Sequence, residues 1–162
     1  MGLCKLIMLL PVCFAQATRF DLTESEINQH IAYSLKTAPR PGLDSMMLKF
    51  FDENYVSTYT TVDFDAVERW KPGTIPAMLR PVLSGKRAIW IDIRFFVKNA
   101  HATYKIEKAY YDKIPIPAFV LDKAIQVIAA RQPEKYDTTK PVPLPFGMRT
   151  MWTKPRRIIG EK

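Results

Sequence analysis

The sequence predicts an α+β fold: a strongly curved antiparallel β-sheet wrapped around a long apolar helix, with an amphipathic helix at the N-terminus. Three observations lead there. The first is Ile114-Pro115-Ile116-Pro117 followed by the apolar run 118–130, in which only Asp122, Lys123 and Gln126 are polar. At about 100° per residue those three side chains fall in one arc of roughly 100°, so most of the helix surface is apolar and needs wrapping. The second is the alternation of Ile89, Ile91, Ile93, Phe95 and Val97 with Trp90, Asp92, Arg94 and Phe96, which is a strand with two distinct faces. The third is Thr23-Glu24-Ser25-Glu26, a capping box that opens a helix.

Before these elements stands a leader. Lys5, the apolar stretch Leu6 to Phe14 and the A-x-A site Ala15-Gln16-Ala17 read as a secretory signal peptide covering residues 1–17. Cys13 suggests a lipoprotein signal instead, but Val12 before it is bulkier than the small residue such a site prefers. Cleavage after Ala17 removes both cysteines, Cys4 and Cys13, and leaves residues 18–162 as one domain without disulfides. A cysteine-free exported chain of this size fits a bacterial periplasm. The apolar run is shorter than the ~20 residues a membrane span requires.

Along the mature chain, Ile27, Ile31 and Leu35 give the first helix one apolar stripe, ended near Lys36 by Pro39, Pro41 and Gly42. Strands follow over 45–51 and 55–64, separated by Asp52-Glu53-Asn54. The stretch 67–80 reads as irregular, with a short helical turn around Met78 to Leu83. The 88–97 strand turns at Lys98 to His101 onto 102–111, where Thr103, Lys105, Glu107 and Ala109 are expected to face away from Tyr104, Ile106, Lys108 and Tyr110. The apolar helix spans 117–131. A proline-rich loop then leads to closing strands at 147–153 and 157–159.

The net charge of +8, one unit of it from Lys5 in the leader, points to anionic surfaces. Export makes nucleic acid the least suitable of them. No phosphate loop, nucleophile elbow or paired-histidine motif is present, so no catalytic or metal-binding residue and no cofactor is assigned. Asp63, Asp65 and His101 are all that keeps an enzyme in view, and only if the fold brings them together. Aromatic residues make up 12% of the chain and sit mostly on the strands, where they pack a sheet or line a groove. The basic set Arg149, Lys154, Arg156 and Arg157, with Lys162, suggests docking on an anionic membrane at about 1 kcal/mol per residue.

The hairpin ending in Tyr104 to Tyr111, the Ile114-Pro115-Ile116-Pro117 approach, the apolar helix and the return Pro143-Leu144-Pro145-Phe146-Gly147-Met148-Arg149 resemble the bacterial single-domain members of the tubular lipid-binding (TULIP) superfamily, similar to LmeA-type proteins. Thr23-Glu24-Ser25-Glu26-Ile27-Asn28 also resembles the opening of the YceB-like lipoproteins of that fold group. The resemblance implies a groove for acyl chains between sheet and helix. Its lining would be Ile91, Ile93, Phe95, Tyr104, Ile106, Val120, Ala124, Val127 and Ile128. It departs from the family in a helix of only about four turns and in lacking a clear acylation site.

The expected function is therefore a periplasmic, non-enzymatic lipid-binding protein whose partner is a phospholipid or another acyl-chain lipid. The competing expectation is a cystatin-like helix-on-sheet interaction module of the cell envelope, with a close-packed interior and no lipid. A continuous apolar space beside the sheet separates the two.

Overall fold

A computed structural model describes residues 18–117, 119–121 and 140–162 of the chain. The leader and most of the apolar helix, including Ala124, Val127 and Ile128, lie outside the described residues. Strand β1 (Arg19–Thr23) runs directly into helix α1 (Glu24–Thr37). Thr23 serves both: it is extended, its hydroxyl accepts the Glu26 N–H at 3.2 Å, and its own N–H reaches the Glu26 carboxylate at 2.8 Å. The capping box is thus complete, and hydrogen bonding to Thr23 holds the Glu26 carboxyl below its ordinary value. Ile27 and Ile31 are buried and Leu35 packs beside them, following the stripe read from the sequence.

The main sheet is antiparallel and strongly curved, a half-barrel. It orders β2 (Leu43–Phe50), β3 (Tyr55–Asp63), β4 (Lys86–Lys98), β5 (His101–Tyr111) and β6 (Ile114–Pro115), with β7 (Val142–Pro143) paired to the first residues of β5. Turns at Glu53-Asn54, Asn99-Ala100 and Asp112-Lys113 have positive φ at both central residues. That handedness matches the twist of the flanking strands.

The free edge of β2 is covered by α1. Asn28 accepts the Leu48 N–H and donates to the Leu48 carbonyl, both at 2.8 Å, while Glu24 accepts the Phe50 N–H at 2.9 Å. One amide side chain thus stands in for a neighbouring strand and blocks edge-to-edge pairing. The β2–β3 turn is tied down similarly, since Asn54 accepts the Phe95 N–H through its carbonyl and the Thr153 N–H through its side chain.

Three features differ from the sequence reading. The closing strands β8 (Thr150–Lys154) and β9 (Arg157–Glu161) do not join the main sheet; with β1, which the sequence reading missed, they form a second sheet in the order β1-β9-β8. Phe20 of β1 lies opposite Gly160, where a side chain on residue 160 would strike its ring, and both Phe20 and Ile158 enter the core with Leu48, Val56 and Phe95. The supposedly irregular stretch begins with a helix, α2 (Phe64–Trp70), because Asp63 ends β3 and caps it by accepting the Ala66 N–H at 2.9 Å. A short 3-10 turn at Ala77–Leu79 follows. In β5 a register shift opposite Asp92/Ile93 moves Ala109 to the face of Ile106 and Tyr104, so the simple alternation fails there. The 117–131 helix is described only at its first turn, residues 119–121, where Val120 and Leu121 donate to the Pro117 carbonyl, and the rest of it lies outside the described residues.

Candidate functional site

Cross-strand register places the apolar side chains of β4 and β5 on one face. Ile91 pairs with Ala109, Ile93 with Ile106, Phe95 with Tyr104 and Val97 with Ala102. Five of the expected lining residues, Ile91, Ile93, Phe95, Tyr104 and Ile106, therefore do converge. They divide in environment. Phe95 is 5% exposed and belongs to the closed core under α1, with Tyr104 packed against that core. Ile91, Ile93 and Ile106 remain only half-buried and stand outside it. Val120, at the first turn after Pro117, is exposed.

On β3 the same face carries Thr58, paired with Leu48 on one side and Ile91 on the other. Its hydroxyl is buried without a hydrogen-bond partner. Such a group is uncommon in a settled interior. The face thus combines a half-covered aliphatic strip with one unsatisfied donor and acceptor.

The opposite face was not singled out as a site. Met47, Tyr59, Trp90 and Tyr110 form one row across β2 to β5 by register. Their rings stack at centroid distances of 5.2 Å for Tyr59–Trp90 and 4.9 Å for Trp90–Tyr110, with Lys49 Nζ 5.2 Å from the Tyr59 centroid. The neighbouring row, Ser45, Thr61 and Ala88, is small, so the aromatic row walls a cleft of about 460 Å³. The alternation of Trp90 with Ile89 and Ile91 was visible in sequence. The row itself depends on register between strands, which a single sequence does not print.

In the next row on the same face, opposite Ser57, Asp92 is 3% exposed. Its carboxylate accepts the Ser57 hydroxyl at 2.5 Å and the Trp90 indole N–H at 2.6 Å. Burial, then the hydrogen bond to Asp92, pushes the Tyr55 phenol up to about 12. A phenol whose folded-state value is raised contributes stability that is complete below its unfolded value, near 10, and lost as pH climbs through the folded one. Thermal stability is therefore expected to decline between about pH 10 and 12, and Tyr55→Phe should flatten that decline in pH-dependent melting curves.

The basic residues assigned to membrane docking are separated. Lys154, Arg156 and Arg157 cluster at the β8–β9 turn, whereas Arg149 sits at the far end of β8, where its N–H bonds the Glu161 carbonyl. Arg157 is also ion-paired to Asp21 at 3.0 Å. The enzyme-like trio is not assembled either. Asp63 pairs with Lys86 and His101 with Lys98, at opposite ends of β4. Twelve residues of strand put them roughly 40 Å apart along the chain.

No family model and no curated protein matches this chain. Among solved structures, the crystal structure of a lipopolysaccharide binding protein is similar over 88% of this chain, at 9% identity and a TM-score of 0.26. The chain spans 39% of that protein's length.

Proposed function

We propose that the chain is an exported, periplasmic lipid-binding protein that works without catalysis. It holds acyl chains against the face formed by Ile91, Ile93 and Ile106, beside the 117–131 segment, as the TULIP resemblance implies. The observation that carries this reading is the contrast along a single face: Phe95 is sealed in the core, while the aliphatic side chains further along the strand are only half-covered. Burying such residues is worth about 25 cal/mol per Å² of apolar surface, a gain that an acyl chain would supply.

Native mass spectrometry of gently purified protein, with lipid extraction, tests the proposal. Co-purifying lipid is expected, as is uptake of phospholipid from vesicles by delipidated protein. A uniformly ligand-free protein that takes up none would favour the close-packed interaction module instead.

A further inference from the structure

Exposed apolar side chains collect at one end of the main sheet, where β3 ends, β4 begins and β5 turns into β6. Trp70 is 64% exposed, Val82 58% and Ile114 66%. Hydrogen bonds tie segments of this end together. The Phe64 N–H at the head of α2 bonds the Gly85 carbonyl at 3.0 Å, the Tyr111 hydroxyl donates to the Val82 carbonyl at 2.5 Å, and Ile114 pairs with Tyr111.

Each of these apolar residues has a cation next to it in sequence or one residue away: Arg69 and Lys71 around Trp70, Arg80 two before Val82, and Lys113 before Ile114. Most acids at this end are turned to internal partners. Asp63 caps α2, Glu68 accepts the Gly73 and Ile75 N–H groups and holds Arg80, Asp44 binds Lys86, and Asp112 binds Arg87 and the Ala88 N–H. Among the described residues no ion pair engages Arg69, Lys71 or Lys113, and of the acids there Asp63 and Asp65 are in none either. At the other end of the sheet the exposed Phe51 is followed instead by Asp52 and Glu53.

We propose that the Trp70–Val82–Ile114 end docks on the surface of an anionic lipid bilayer. The three apolar side chains enter the headgroup layer, and Arg69, Lys71 and Lys113 meet lipid phosphates. Indole and aliphatic groups flanked by cations suit that interface, where one side is apolar and the other wet and negatively charged. The inference deepens the lipid-binding reading and rests on it for choosing a bilayer over an acidic protein. It places the contact at this end of the sheet, away from the β8–β9 turn.

The test is co-sedimentation of residues 18–162 with vesicles of phosphatidylglycerol and phosphatidylcholine, or of phosphatidylcholine alone. Binding is expected only when phosphatidylglycerol is present, and should weaken with salt. Trp70→Ser with Ile114→Ser, and separately Arg69→Gln with Lys71→Gln and Lys113→Gln, should each lower affinity at least tenfold. Lys154→Gln with Arg156→Gln should leave it unchanged. All substitutions are at exposed positions, and circular dichroism melting verifies the fold of each variant. Vesicle affinity unchanged in the first two variants, or lost only in the third, would overturn the proposal, as would a wild-type chain that does not sediment. Extracted lipid is measured on the same preparations. Lipid present without vesicle binding would sink the docking surface alone, whereas vesicle binding without lipid would sink only the acyl-holding reading.

Discussion

Gly42→Ala is expected to lower the unfolding free energy by about 3 kcal/mol, read as a fall in the urea midpoint. Gly42 has φ +83°, a conformation that costs an L-residue roughly 1–2 kcal/mol. A Cβ there would also lie 2.7 Å from the Asp63 carbonyl oxygen and 2.1 Å from Val67 Cγ2. Val67 can rotate, but the carbonyl belongs to the backbone and cannot move alone. The same junction holds the Asp63 N–H against the Gly42 carbonyl at 2.7 Å, so any shift disturbs the residue that caps α2. Native-state hydrogen exchange should therefore show faster exchange over residues 63–71 in the variant than over β4 and β5.

Asn28→Ala comes next. It strips Leu48 of the partners for both its N–H and its carbonyl, in a part-buried position. Leaving two such groups unpaired costs about 2–4 kcal/mol in sum, less whatever water recovers. The loss should also open the edge of β2 to pairing with another chain. Chemical denaturation would give the first effect, and light scattering on concentrated protein the second. Asn28→Asp keeps the acceptor for the Leu48 N–H but removes the donor, so it should fall between the wild type and Asn28→Ala.

What the sequence revealed was mostly what one segment decides by itself. Thr23 and Glu26 specify a helix start through neighbours three residues apart, and the stripe Ile27, Ile31, Leu35 orients the helix without outside help. Ile89 to Val97 declare two faces by alternation alone. Most of the failures involve distant partners. Arg19 to Thr23 is a strand because Arg157 to Glu161 lies beside it, and a five-residue segment ahead of a cap has little strand signal of its own. The bulge in β5 is a property of its pairing with β4, so Ala109 was put on the wrong face. Asp63 looked like the continuation of a strand and is instead the cap that stops it.

The site shows the same division. Ile91, Ile93 and Ile106 were legible as an apolar face, but which part α1 covers depends on packing across some sixty residues of chain. The basic residues were grouped because they are close in sequence. A tight turn at Pro155-Arg156 keeps Lys154 and Arg157 together, and the length of β8 carries Arg149 away. The Met47–Tyr59–Trp90–Tyr110 row and the collected Trp70, Val82 and Ile114 come from separate segments and were visible only after folding.

Lipid binding as proposed places an acyl chain on the face of Ile91, Ile93 and Ile106. It is tested most directly by photo-cross-linking with a phospholipid carrying a diazirine near the end of its acyl chain, followed by residue-level mapping. Adducts are expected on Ile91, Ile93 and Ile106, competed away by unlabelled lipid. Adducts confined to the opposite face, at Met47, Trp90 or Thr103, or no competable adduct at all, would contradict it.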